Sequence, residues 1–317
     1  MAIILRFREN DHTGKLSRNR RIKSLLSLPL FFLCLIAGNG ATAQSIDSIT
    51  RRDITFTSEG VLLVGTLFSP TDPQAAIVLV HGSGQEKRMN RFAERLATSG
   101  ITVLTYDKRG VGASGGIYAG PEVGTNNVDS ANLRLLAKDA SAAVNKLQEL
   151  AQDLPIGLIG SSQAGWIIPM AATLNPTVDF MVLFSGPTIT SLEQLRFQFH
   201  TNGDSNYWEN HSEAEAREHI KNDPDRFEFT ATDPKKSLTN LAIPGLWLYG
   251  AKDIQVPAQL CIEQLNRIKG KGKPFEYRLY PNLGHNTASG SDPSPVEDAI
   301  LWIKQTMRVS KKSRNSN

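Results

Sequence analysis

A doubly wound, mostly parallel α/β sheet that begins with an antiparallel hairpin and carries a small helical cap is the fold class this sequence predicts. Three observations predict it. Continuous β-branched or apolar runs, AAIVLV (75–80), ITVLTY (101–106), IGLIG (156–160), VDFMVLF (178–184), GLWLYG (245–250) and FEYRLY (275–280), read as strands covered on both faces. Amphipathic helical stretches alternate with them: RFAERLATS, NLRLLAKDASAAVNKLQEL, PAQLCIEQLNRIK and PVEDAILWIKQTM. Ahead of both, DITFTSEGVLLVGTLFSP (53–70) alternates apolar and polar about Glu59-Gly60, the period of a half-buried hairpin.

In chain order, residues 1–43 come first and differ from the rest. RNRRIK (18–23) leads into SLLSLPLFFLCLIAG (24–38) and then Ala41-Thr42-Ala43, the composition of a secretory signal peptide cleaved before Gln44. The apolar run, about 15 residues, is short of the roughly 18–20 that a membrane span needs, which argues against a retained anchor. The expected export leaves 44–317 as one domain with an insertion, in the periplasm or outside the cell. After the hairpin, strands and helices alternate regularly as far as Pro187. Between about 187 and 241 the alternation stops: SLEQLRFQFH and SEAEAREHIKN are helical in pattern, TNGDSNYWEN between them reads as a loop, and the whole is an inserted cap. KKSR (311–314) reads as a solvated tail beyond the last helix.

The formal net charge of +4 misleads, because seven of the 35 basic residues and two of the 31 acidic ones lie in 1–43, leaving 28 against 29. No nucleic-acid footprint remains. Of the two cysteines, Cys34 sits in the leader and Cys261 is then alone, at an apolar position on a helix, so an internal disulfide and a multi-cysteine zinc site are excluded.

Chemistry in a doubly wound sheet belongs at the carboxyl ends of strands, so each candidate is judged by where its strand stops. GASGG (112–116) satisfies the G-x-S-x-G pattern, but Ser114 follows a polar Gly-rich loop with no helix until about Asn132 and reads as loop structure. GLIGSSQAGW (157–166) breaks the pattern at Ala164, yet it supplies strand, sharp turn and helix around Ser162. Such a turn strains the serine backbone and raises its hydroxyl above the sheet, and it demands small residues two before and two after, here Gly160 and Ala164. HGSG (81–84) follows the first long strand. The backbone N–H of Ser83, with that of Gln163 after the nucleophile, supplies the two donors an oxyanion needs. His81 reads as a brace for that loop. An acid and a base must then follow in the order Ser, Asp, His, and Asp253 and His285 each stand in the loop directly after a later strand. Asp107, beside Lys108 and Arg109, suggests a structural ion pair; Asp179 precedes its strand; His200, His211 and His219 fall in the cap, where surface positions are the default.

Together HGSG, YDKRGVGASGG, GLIGSSQAGW, LYGAKDIQVP and YPNLGH resemble the α/β-hydrolase superfamily, and within it an exported branch related to serine aminopeptidases and dienelactone hydrolases, over residues about 54 to 307. The resemblance implies a triad of Ser162, Asp253 and His285, in agreement with the strand-end reading. Members of that branch commonly carry His or another residue before the nucleophile and Gly after the glutamine; this chain has Ser161 and Ala164.

The expectation is an exported serine hydrolase in which His285 deprotonates Ser162, Asp253 orients His285 and water releases the acyl-enzyme. Carboxylic esters lead as the substrate class; peptidase or amidase chemistry on the same triad is second, and a non-catalytic binding protein on this fold is third. Transfer to an alcohol stays open. No cofactor and no metal are expected, since no His pair at metal-binding spacing accompanies a carboxylate, and the partner is a small ester or peptide with no stable membrane insertion once the leader is removed. The cap carries Glu193, Asp204, Glu209, Glu213, Glu215 and Glu218 and lacks the apolar stripe a lipid surface requires, which favours short acyl chains. Its aromatics, Phe197, Phe199, Tyr207 and Trp208, read first as cap packing and second as a pocket wall.

Overall fold

The structure, a computed structural model, describes residues 48–120, 128–223 and 229–314, with side chains through Arg308. The expected leader and its cleavage site lie outside the described residues. The hairpin pairs β1 (Thr50–Ser58) with β2 (Val61–Ser69) across a two-residue turn at Glu59 and Gly60, both at positive φ. Then follow β3 (Ala75–Val80), α1 (Asn90–Ala97), β4 (Ile101–Tyr106), α2 (Ser130–Leu150), β5 (Ile156–Ser161), α3 (Ala164–Leu174) and β6 (Val178–Phe184). Among the described residues, four helices lie between β6 and β7 (Gly245–Gly250): α4 (Ser191–Thr201), α5 (Tyr207–Asn210), α6 (Glu213–Asn222) and α7 (Lys235–Asn240). The chain closes with α8 (Ala258–Lys269), β8 (Phe275–Tyr280) and α9 (Ser294–Arg314).

The strands lie in the order β1-β2-β4-β3-β5-β6-β7-β8. β2 runs antiparallel to both neighbours and every other pair is parallel, so the carboxyl ends of β3 to β8 form one edge. Successive strand residues point to opposite faces. Val78 and Leu158 pack with α2, α3 and α8, whereas Ile77, Leu79 and Ile159 pack with α1 and α9. Both faces are therefore apolar, which is why these strands read as unbroken hydrophobic runs.

Two details differ from the sequence reading. The stretch 201–210, read as a loop, contains the short helix α5, which starts once Asp204 has turned the chain by accepting from the Asn206 N–H. The backbone of α9 stays helical through 311–314 instead of ending before that cluster. The cap region itself is helical as expected. Its helices α4 and α6 start at capping boxes, Thr190 with Glu193 and Ser212 with Glu215, and Phe197, Tyr207, Ala216 and Ile220 give it a small core of its own. The three cap histidines are not scattered: His200 stacks on His219 at 3.8 Å between ring centres, with His211 5.9 Å away.

A buried ion pair ties the hairpin to the rest. Arg109, in the loop after β4, donates from Nε to Asp139 Oδ2 on α2 at 2.9 Å and from Nη2 both to Asp139 Oδ1 and, at 3.0 Å, to the carbonyl of Ser58 at the end of β1. Both side chains are buried. Removing one partner strands the other charge, whereas removing both together leaves nothing unpaired. Asp139→Leu should therefore lower stability by about 3–5 kcal/mol in urea denaturation, and adding Arg109→Met should restore most of the loss.

Candidate active site

At the carboxyl end of β5 the chain turns sharply through Ser162, whose φ is +52°, and enters α3 two residues later. A non-glycine residue in that region is strained and must be held. Its N–H donates to the Phe184 carbonyl at 2.9 Å and its carbonyl accepts from the Gly165 N–H at 2.8 Å, so both neighbouring elements fix it. Gly160 is forced by the same turn: a Cβ there would stand 2.5 Å from the Ala164 Cβ and 2.6 Å from the Val80 carbonyl oxygen. The methyl of Ala164 fits because Gly160 has none. Ser114 is built differently. Its hydroxyl donates to the Asp107 carbonyl at 2.6 Å and accepts from the Val64 N–H at 3.0 Å, which bolts the Gly-rich loop to β2.

Asp253 and His285 come from neighbouring strands, β7 and β8, on the same edge. Their loops press together at Gly250, where a Cβ would lie 2.2 Å from the Gly284 carbonyl oxygen, and the Lys252 N–H donates to the Leu283 carbonyl at 2.8 Å. Asp253 is buried and fully engaged. Oδ1 accepts from the N–H groups of Gln255 and Val256 at 2.7 and 2.9 Å, which leaves Oδ2 to meet His285 Nδ1 at 2.8 Å. With Nδ1 donating to the carboxylate, a neutral imidazole carries its free lone pair on Nε2, the nitrogen that can accept a proton. Thr287 anchors the far side of the loop through the Leu248 carbonyl and Ser185 Oγ, at 3.2 and 3.1 Å.

The cap takes part in this scaffold, a role the sequence did not reveal. Three successive carbonyls of the aspartate loop accept from it: Asp253 from Trp208 Nε1 at 2.8 Å, Ile254 from Thr201 Oγ1 at 2.5 Å, and Gln255 from Gln194 Nε2 at 2.8 Å. Phe197 and Tyr207 are buried against each other, so the cap aromatics largely serve packing, with Phe199 exposed.

The HGSG loop passes beside the turn before Ser162: a Cβ on Gly82 would stand 3.3 Å from the Ser161 carbonyl oxygen. Ser83 is exposed and its N–H donates to no group among the described residues. His81 meets the Tyr106 carbonyl through Nε2 at 2.6 Å and is buried, which with the nearby Lys108 charge lowers its pKa to about 3. It braces the loop as a neutral ring. Lys108, expected beside an Asp107 ion pair, has another position: Asp107 pairs with Arg88 and Arg109 with Asp139, while the buried Lys108 Nζ donates to the carbonyls of Gly82 and Gly84 at 2.7 and 3.3 Å and to Gln163 Oε1 at 3.1 Å. It thereby ties the loop carrying Ser83 to the residue after Ser162. The signal available in the sequence was a cation inside a Gly-rich loop at a strand end. Glu86 holds the Gly82 N–H at 3.0 Å, and burial pushes its carboxyl up while Lys108 pulls it down.

On the α1 side of this edge lies a cavity of about 680 Å³ whose walls include Gly160, Ser161, Phe92, Phe184 and Ala288. Among the described residues no three His, Cys, Asp or Glu side chains converge as a metal site would require, and no helix is long and apolar enough to cross a membrane.

Comparison with known proteins adds the lineage. The family model described as serine aminopeptidase, S33, matches residues 71–234. A monoacylglycerol lipase of Mycolicibacterium smegmatis is 28% identical over 147 residues, 45% of this chain and 49% of that protein. Esterase EstD of Thermotoga maritima is 26% identical over 280 residues, 79% of this chain and 63% of that protein. The chain thus spans about half to under two thirds of these relatives. The solved esterase Pf2001 of Pyrococcus furiosus superposes with a TM-score of 0.58 at 19% identity, covering 82% of this chain and 91% of that one, a likeness of fold alone.

The packing at the turn makes opposite demands on its two small residues. Gly160→Ala should cost about 3 kcal/mol in urea denaturation and distort the turn, whereas Ala164→Gly should cost about 1 kcal/mol. Because the folded pKa of His81 lies below its unfolded value of 6.5, the unfolded chain binds the proton more readily; the stability this neutral ring contributes is present above pH 6.5 and is lost as pH falls toward about 3. His81→Gln should flatten the decline of the urea midpoint over that window relative to the parent protein.

Proposed function

The chain belongs to the serine aminopeptidase S33 family, and from that premise we propose that it is a serine hydrolase acting on soluble carboxylic esters of short acyl chains. The observation that supports this most is the 2.8 Å contact of His285 Nδ1 with a buried Asp253, on the same sheet edge as the left-handed Ser162. In this reading His285 Nε2 takes the Ser162 hydroxyl proton as Oγ bonds to the ester carbonyl carbon. The negative charge moves to the carbonyl oxygen, where the N–H groups of Ser83 and Gln163 receive it. Collapse breaks the bond to the alkoxy oxygen, which leaves with the proton from His285. Water, deprotonated by the same nitrogen, then attacks the acyl-serine, and the acid departs as Ser162 recovers its proton. Lys108 contributes by holding both donors in one frame.

Peptide or aminoacyl amide cleavage is the second reading, and the family's description favours it. Holding a free amino group needs an available carboxylate, and the cap's acidic residues are mostly occupied. Glu193 and Glu215 close capping boxes, Glu213 and Glu263 share Arg217, and Glu218 accepts from Asn222. That tilts the choice toward esters. Export is part of the proposal and rests on the composition of residues 18–43.

A fluorophosphonate probe, which reports an activated serine whatever the substrate, tests the core of the reading. Ser162→Ala should abolish labelling and lower ester turnover by several orders of magnitude, while Ser114→Ala should keep most of both. Comparing kcat/KM for esters with acyl groups of about two to six carbons against aminoacyl amides decides between the two readings; preference for amides with a free amino terminus promotes the peptidase.

A further inference from the structure

The cavity of about 680 Å³ on the α1 side of the sheet edge is of ligand size and has an uneven chemistry. Its floor is apolar, formed by the buried Leu79, Ile159 and Phe184 with the half-buried Phe92 and Met89. Along one wall stand Lys87, Arg88, Arg91 and Arg95, while Glu86 is the one acid among its described lining residues. Glu86 is engaged with the Gly82 N–H, and Arg88 is engaged with Asp53 and Asp107 at 3.2 and 3.3 Å. The other three cations have no such outlet. Lys87 and Arg91 make no ion pair among the described residues, and the Arg95 guanidinium reaches the Pro293 carbonyl at 3.5 Å, too far for a strong bond.

Arg91 and Arg95 are four residues apart on α1 and share a face, an arrangement of like charges that weakens a helix. An anion between them reverses that penalty, and each planar guanidinium can grip a carboxylate through two parallel N–H bonds. Ser161, also in the lining, has an Oγ with no hydrogen-bond partner among the described residues and is a further donor. The position ties the cavity to the reacting groups: Ser161 precedes Ser162, and Ala288 and Ser289, also in the lining, follow His285 in its loop.

We infer that this cavity is a subsite for a carboxylate carried on a short apolar chain, so that the preferred esters are those with a second, ionised carboxyl group in the acyl or the alcohol part. The inference rests on the esterase reading and narrows its substrate class. The apolar floor takes the chain, the arginines take the carboxylate, and the ester carbonyl is left at Ser162.

Two matched substrate pairs test it, each an acid against its isosteric primary amide: the p-nitrophenyl half-ester of adipic acid against that of adipamic acid, and 4-acetoxybutanoate against 4-acetoxybutanamide. The readout is the acid-to-amide ratio of kcat/KM at pH 7. In at least one pair the ratio should exceed one by about fivefold or more in the parent protein and shrink with rising salt, as screening requires. It should fall about fivefold in Arg91→Gln/Arg95→Gln and drop below one in Arg91→Glu/Arg95→Glu, but hold in Lys269→Gln/Lys271→Gln, which removes the same charge elsewhere. Ester turnover with ratios that neither arginine pair moves overturns the subsite and spares the esterase. If no ester is turned over, the esterase reading fails by itself, and calorimetric binding of adipamic acid to the Ser162→Ala protein still decides: affinity unchanged by Arg91→Gln/Arg95→Gln, or no binding at all, overturns the subsite.

Discussion

Holding Ser162 in a left-handed turn, between a strand and a helix that each want an ordinary backbone, is the constraint on which the rest of the site depends. The strain is local, but its supports are not. The Ser162 N–H is held by β6, the approach of β5 to α3 requires Gly160, and the adjoining HGSG loop is held in place by Lys108 and Glu86. Strain of this kind persists only where surrounding structure over-determines it. That explains why so many buried polar groups gather within a few residues of one edge: each fixes a backbone segment that apolar packing alone would leave free to relax.

The same logic runs through the second half of the edge. The Asp253 loop is pinned by β8 from one side, by its own carboxylate accepting two N–H bonds from another, and by the cap from a third. His285 is thereby oriented before any ligand arrives. Preorganisation of that sort lets dipoles act without reorganising during a reaction.

Much of this was legible in the chain. Strands β3 to β7 announced themselves because both faces are largely buried, whereas the edge strand β8 is mostly exposed or half-buried after Phe275; the positions of Ser162, Asp253 and His285 just past β5, β7 and β8 followed from where those strands end. What was hidden involves contacts between distant segments. Nothing in YDKRG distinguishes a lysine that pairs with its neighbour from one that spans to Gln163, 55 positions away. The clasp of Trp208, Thr201 and Gln194 on residues 253–255 was equally invisible, because side-chain donors that seek backbone carbonyls leave no periodic trace. The short helix α5 escaped because its four residues are too few to show a period. Nothing in the helical stretch RFAERLATS marks Arg91 and Arg95 as the lining of a cavity; only the fold places them there.

The clasp between cap and aspartate loop also bears on how such chains diversify. If the cap rested on the sheet through apolar contact alone, it would be a free cassette, open to exchange among relatives with selectivity as the one property altered. Here it carries the donors for three successive carbonyls beside the buried aspartate, so a foreign cap that lacks them leaves those carbonyls unpaired and the carboxylate unsteadied. Recombination at Pro187 and Leu241 therefore transplants part of the support of the aspartate loop along with the cap, and divergence of this segment is obliged to keep Gln194, Thr201 and Trp208, or equivalents of them, while everything around them changes.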